Sequence, residues 1–306
     1  MTTHTPSVVV GVDGSEHAEL AAHVAAAEAV RRQRPLRLVR AFTWTDQLMP
    51  GLPDTLAARA AARRSANAAL DRLRRELTAS IPGWTVGATL VEGRPETALC
   101  RAVEADDLLV VGASGTTWGS TGVLGTVAET VAAAAPCAVL VHRPLPALHA
   151  DRHEVLAGVD GGPGTAAVLA AAAQEAEANS VSLAVVHAWR QLTEDAPASL
   201  RWRLDRDATE RTERDAVEPA VAELRRRRPR LEIDVTVAPG RAGRVLVQFA
   251  ETARMLVVGR RCLADGGPGA TVHSVLHQAD VPVLVVPVAS VAAHAAVRPQ
   301  AIATTS

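Results

Sequence analysis

The octapeptide VVVGVDGS at residues 8–15 returns as VLAGVDGG at 155–162, and this duplication limits the fold more than any other property of the chain. The offset of 147 recurs downstream. It pairs LVRAF (38–42) with VVHAW (185–189), Gly93 with Gly240, and VVG (110–112) with VVG (257–259). A register kept over four separate matches requires two copies of one unit joined by balanced connections. Near the end it shifts to 144, where VAAAAPCAVLV (131–141) aligns with VLHQADVPVLV (275–285). Three residues are therefore missing from the second copy, in the loop that follows VVG.

Within each copy strand and helix patterns alternate. In the first, Val8–Val12 reads as a strand, residues 17–33 as an Ala-rich helix, Leu36–Phe42 as a strand and residues 56–77 as a second helix. Strands at Thr85–Val91, Leu108–Val111 and Ala138–His142 follow, with helices between them. Such alternation implies right-handed crossovers and a parallel, doubly wound α/β sheet. The composition agrees: 48% of residues are hydrophobic but only 2% aromatic, so the core is built of Val, Leu and Ala, as in a parallel sheet covered on both faces. The expected domains are 1–146 and 147–290, with 291–306 as a loose tail. Residues 143–154 read as linker, and the looseness of the tail is expected to begin at 287.

Charge and composition exclude several functions. The net charge of −1 gives no reason to expect a nucleic-acid partner. The RRRRPR run at 225–230 reads as a solvated helix end whose cations complement the helix dipole before Pro229 stops it. All 32 basic residues are arginine, so neither Schiff-base chemistry nor a P-loop lysine is available. The three cysteines, Cys100, Cys137 and Cys262, lie too far apart for a short metal-ligand pair and are odd in number, which fits a reducing cytoplasm. No basic-then-apolar leader precedes the first strand. The most apolar tract, 281–297, is interrupted by Pro287, Ser290 and His294, so no membrane partner is expected. His142, His149 and His153 read as surface histidines around the linker. Cys262, beside two arginines, reads as a glycine position that has drifted.

The loop after the fourth strand carries the functional signal. Glycines at 112, 115, 119, 122 and 125 and the hydroxyls of Ser114, Thr116 and Ser120, which with Thr126 could serve phosphates, separate the strand from a helix that opens at Thr126. Ligands in such sheets sit at the carboxyl ends of strands near the topological switch point, where both Asp13 and Gly112 fall. A helix amino terminus there favours anions through its unpaired N–H groups and its dipole. Gly112, Gly115, Gly125 and Thr126 together spell G-x2-G-x9-G-[ST]. This spacing resembles the nucleotide signature of the ATP-binding universal stress proteins, and the resemblance extends to GVDGSEHAELAAHVAA, VEGRPETAL, DLLVVGASG and GTVAETVAAAAPCAVLV. Two copies in one chain resemble the tandem form of that family.

The resemblance implies two Rossmann-like, adenine nucleotide alpha hydrolase-like domains related by a pseudo-twofold axis and paired through their last strands. A homodimer is a further expectation. It also implies a regulatory or stress-protective role with ATP or another adenine nucleotide, together with Mg2+, in the first domain. The binding residues would be Val12, Asp13, Ala41, Val111, Gly112, Gly115, Gly125, Thr126 and Val127, with main-chain N–H groups of 125–127 facing the phosphates. No metal site is expected from the protein alone. Asp13 also reads as a helix cap or turn former on its own. Residues 112–127 hold no charged side chain, so at most slow ATP hydrolysis is expected, because phosphoryl transfer depends on fixed cations. In the second copy Cys262 replaces Gly115 and Ala270 replaces Thr126. Asp160, Gly259 and Gly269 remain as a degenerate second site, where Arg260 and Arg261 offer positive charge. The rival reading is a nucleotide-free interaction protein of the same fold, since fold alone does not specify function.

Overall fold

The computed structural model describes residues 4–44, 55–115, 124–144, 153–189, 206–261 and 267–288. The first half runs β1 (Val8–Gly11), α1 (Glu16–Arg32), β2 (Leu36–Phe42), α2 (Thr55–Ser80), β3 (Val86–Glu92), α3 (Pro95–Arg101), β4 (Leu108–Gly112), α4 (Thr126–Ala134), β5 (Ala138–His142). The second runs β6 (Glu154–Val159), α5 (Thr165–Asn179), β7 (Ser182–Trp189), α6 (Arg206–Arg227), β8 (Ile233–Pro239), α7 (Ala242–Ala250), β9 (Met255–Arg261), α8 (Ala270–Gln278), β10 (Val283–Val288).

Local chemistry sets the element ends. Ser15 caps α1 by accepting the Ala18 N–H, and Gln33 closes the helix in the left-handed region at φ 54°. Pro95 opens α3, where a missing N–H costs nothing. The arginine run ends α6, with Arg225 bound to Glu218 and the Ile233 carbonyl, and Arg227 to Glu223, as a solvated helix end requires. The run Val8–Val10 is fully buried because it is covered on both faces.

All ten strands join one sheet in the order β3-β2-β1-β4-β5-β10-β9-β6-β7-β8. Each half is parallel and changes direction between its first and fourth strands, the doubly wound order expected. One core layer packs α1, α2, α5 and α6 on one face of the sheet, and a second packs α3, α4, α7 and α8 on the other. The halves join through antiparallel pairing of β5 with β10, Val139 to Val285 and Val141 to Val283. The expected pairing of last strands is thus present within the chain. Residue 287 does not begin a loose tail as expected. Pro287 and Val288 belong to β10, paired with Arg260 and Arg261 of β9. Pairing with β5 covers only Val283–Val285, so beyond it β10 has a single neighbour and a proline without N–H is tolerated. Residues 145–152 and 291–306 lie outside the described residues.

Side chains reinforce the junction. Glu28 of α1 and Glu175 of α5 occupy equivalent positions in the repeat and share Arg31 and Arg32. Arg31 Nη2 lies 2.7 Å from Glu175 Oε2 and Arg32 Nε 3.0 Å from Glu28, while Arg32 also binds Glu175 and Arg31 binds Glu28. Glu175 is only 2% exposed, so its charge depends on these partners. On the opposite face Arg260 of β9 donates to the Ala133 and Ala135 carbonyls at 2.6 Å, closing the carboxyl end of α4. Arg143 of the first half donates in turn to the Leu276 carbonyl in the last turn of α8, at 2.5 Å. Each of these helix ends is thus held by an arginine of the other half.

His142, expected at the surface, is half-buried at the end of β5. Burial, with a smaller contribution from nearby His17, lowers its pKa from the ordinary 6.5 to about 4. Burial likewise pushes the Cys137 thiol up to about 12, which makes it inert. Cys262 and His149 lie outside the described residues.

Two predictions follow from this packing. Replacing Arg32 with Met leaves two buried carboxylates on one guanidinium and should lower unfolding free energy in urea by about 3 kcal/mol; a loss below about 1 kcal/mol would show the network to be idle. For His142 the unfolded chain binds the proton more tightly. Stability is therefore retained above about pH 6.5 and eroded as pH falls toward about 4, by about 3 kcal/mol for this group. Unfolding of the His142→Gln variant at about pH 7 and about pH 4.5 should show a smaller acid loss than the parent.

Candidate functional site

The parallel sheet sets the site before any side chain does. At the switch point β1 has β2 on one side and β4 on the other, and their following loops diverge to opposite faces. A cleft of about 220 Å³ opens there at the carboxyl edge of the first half. Its walls bring together all nine positions singled out in the sequence: Val12 and Asp13 after β1, Ala41 in β2, Val111 and Gly112 in β4, Gly115 beyond it, and Gly125, Thr126 and Val127 at the start of α4. Ser114, one of the loop hydroxyls expected to serve phosphates, lines it too, as do Val39, Pro95 and Leu99, of which the apolar periodicity of β2 and α3 gave no sign.

Two glycines leave room that any other residue would fill. A Cβ at Gly112 would lie 3.1 Å from the His17 carbonyl oxygen, and one at Gly115 would lie 2.7 Å from Asp13 Oδ2. The latter places the Asp13 carboxylate directly against the loop across the switch point. Asp13 Oδ1 meanwhile accepts the Ser15 N–H at 2.9 Å, so the residue is both a turn former at the entry to α1 and a wall of the cleft. Arg40 of β2 reaches the neighbouring turn, its guanidinium 3.5 Å from where a Gly14 Cβ would stand.

One expectation about the phosphate wall needs correction. The Gly125 N–H does not face the cleft as a free donor: it is bonded to the Ala113 carbonyl at 2.7 Å, while Ala113 N–H bonds the His142 carbonyl at 2.9 Å. These bonds tie the ends of the loop together and fix the entry to α4. The N–H groups left without an intrahelical carbonyl at this edge of the cleft are those of Thr126 and Val127, in the first turn of α4. Residues 116–123, including Ser120, lie outside the described residues.

A second cleft of about 340 Å³ lies at the equivalent place in the second half, lined by Asp160, Gly259, Gly269 and Ala270 among others. Its chemistry differs. Asp160 Oδ1 accepts the Gly162 N–H at 2.9 Å, and its other oxygen is bound by Arg261. Gly269 sits at φ 82°, whereas Gly125 in the first half is extended at φ −73°. The shortened loop therefore enters its helix along a different path. A hydroxyl is not wholly absent, since Thr271 lines this cleft one position beyond the lost Thr126 equivalent. Arg260, expected beside this site, instead holds the end of α4.

Comparison with known proteins gives this geometry a context. The universal stress protein family pattern matches residues 5–143 and again 152–287. A universal stress protein of Mycobacterium tuberculosis strain H37Rv is 29% identical over 289 residues, covering 91% of this chain and 96% of its own. Another from the same strain is 34% identical over 206 residues, 66% of this chain and 71% of its own. The crystal structure of a universal stress protein from Archaeoglobus fulgidus superposes with a TM-score of 0.65 at 17% identity, over 93% of this chain and 99% of that one. Among the described residues no helix is long and apolar enough to cross a membrane. With the family pattern met twice in register with the repeat, the chain belongs to the universal stress protein family, as a tandem of two such domains.

Proposed function

We propose that the chain is a nucleotide-binding regulator within this family, holding one adenine nucleotide in the first cleft and lacking robust catalysis. One observation carries the reading: strands, glycine loop and helix amino terminus converge on a single cleft whose apolar side suits a base and whose opposite wall offers N–H donors. Val12, Val39, Ala41 and Leu99 give the base a flat apolar seat. Asp13 can accept from an adenine amino group or a ribose hydroxyl. Gly112 and Gly115 admit the phosphates close to the main chain, and the amino terminus of α4 with the Thr126 hydroxyl stabilises their charge. A divalent ion fits only as a passenger on the phosphates. Among the described residues the cleft supplies one carboxylate, Asp13, and the hydroxyls of Ser114 and Thr126, too few to hold Mg2+ without the nucleotide.

The same inventory argues against turnover. No arginine or histidine side chain is among the described residues lining the first cleft, so no fixed cation meets a transferring phosphoryl group. That observation also supports the rival reading of a nucleotide-free interaction protein. Assay of nucleotide released from freshly purified, acid-denatured protein separates the two.

Calorimetry on the full chain should saturate at a single adenine nucleotide. Gly115→Val should abolish binding, because a branched side chain collides with Asp13, and Thr126→Ala should weaken it by about 1–3 kcal/mol, the scale of a hydrogen bond to a charged group. Asp160→Ala should leave the stoichiometry unchanged. Two equivalent sites, or loss of binding only on changing the second half, would place the ligand in the other domain. Turnover of about 1–1,000 per second abolished by Asp13→Ala would overturn the non-enzymatic reading.

A further inference from the structure

Helices α4 and α8 hold equivalent places in the two halves and lie side by side across the junction. At the offset of 144, Glu129 corresponds to His273 and Ala133 to His277. The pseudo-twofold therefore brings a carboxylate from one half against two imidazoles from the other. His273 Nδ1 lies 2.7 Å from Glu129 Oε1, His277 Nε2 lies 3.5 Å from the same oxygen, and the three donor atoms all fall within 4.8 Å of one another. The histidines are four residues apart on one helix, so both rings leave the same face, with centroids 4.3 Å apart.

Three ligands around a tetrahedral ion bound at about 2.0–2.2 Å stand about 3.3–3.6 Å from each other, within the span seen here. His277 adds an independent sign. Its Nε2 is buried without a hydrogen-bond partner among the described residues, the 3.5 Å approach to Glu129 being too long for a good bond. A covered ring nitrogen held 3.5 Å from a carboxylate is poorly satisfied, and a cation between them would satisfy both.

We propose that Glu129, His273 and His277 form a binding site for a divalent transition-metal ion of the Zn2+ class, which staples the two halves together and leaves a fourth position open to water. Two imidazoles with one carboxylate suit zinc or its neighbours rather than the all-oxygen preference of Mg2+ or Ca2+. Binding displaces any proton from the His273–Glu129 bond. The site also shares a helix with the cleft: Thr126 lies in the cleft wall and Glu129 one turn further along α4.

The test uses untagged full-length protein stripped of metal with a chelator and titrated with Co2+, followed by displacement with Zn2+. The parent should take up one equivalent with the intense visible absorption of tetrahedral Co2+, lose that absorption on adding Zn2+, and unfold at higher temperature with Zn2+ present. His273→Ala and His277→Ala should each abolish the absorption and the thermal shift. Glu129→Gln should weaken Co2+ binding at least about tenfold, as removal of a ligand does. His23→Ala, on an exposed histidine paired with Glu76, should bind as the parent does. If the parent takes up no more Co2+ than a folded double variant lacking both histidines, the cluster is only an interfacial hydrogen bond and the proposal fails.

Discussion

The antiparallel contact between β5 and β10 is the interaction on which the rest of the molecule depends. Without it each half would end in a short, apolar edge strand with its row of N–H and C=O groups open to any passing chain. Pairing Val139–Val141 with Val283–Val285 closes both edges at once and makes one sheet of ten strands. It also fixes the helices, because α1 must then face α5 on one side and α4 must face α8 on the other. The ion-pair network, the two arginine-held helix ends and the Glu129–histidine cluster all lie where those helices meet.

The repeat made the fold legible in advance. Val-rich strands alternating with Ala-rich helices define a doubly wound sheet, and the register of 147 places the switch-point residues of the two halves in correspondence. The nine residues that line the first cleft were legible through the family resemblance that the glycine spacing carries, and the sheet topology gathers them. What failed was tied to hydrogen bonding that sequence does not display. Gly125 lies in the right place, but its N–H is spent on Ala113 to close the loop. Pro287 reads as the end of order, yet it stands where β10 has lost one neighbour and needs no donor on that side. His142 reads as a surface residue beside the linker because its cover comes from its own half, where it pairs with Gly112 of β4 and stands near His17 of α1.

The junction contacts were illegible for a stronger reason. Arg32 and Glu175, or Glu129 and His273, are more than a hundred residues apart, and neither pair follows from periodicity within its own helix. Only the pseudo-twofold makes them neighbours. The two clefts show the complementary effect, in which equivalent positions have drifted without losing the cavity. In the second cleft Arg261 holds Asp160, and in the first Gly115 stands close against Asp13 Oδ2. The sheet supplies both cavities, and loop chemistry alone decides what each can hold.

Joining the two units in one chain permits something that a dimer of identical units cannot have. Near a true twofold axis each residue meets its own copy, so a glutamate at 129 would face a glutamate and a histidine would face a histidine. Here the corresponding positions carry Glu129 and His273, and the contact is complementary instead of repulsive. The network on the other face follows the same logic. Glu28 and Glu175 are equivalent and both acidic, but the two arginines come from the first half alone, since positions 178 and 179 are Ala and Asn. An identical pair would bury two glutamates with four arginines and leave a net charge in a poorly solvated place; the fused chain buries two with two. Covalent duplication thus frees the residues nearest the axis to diverge into matched opposites while the two halves keep the same backbone.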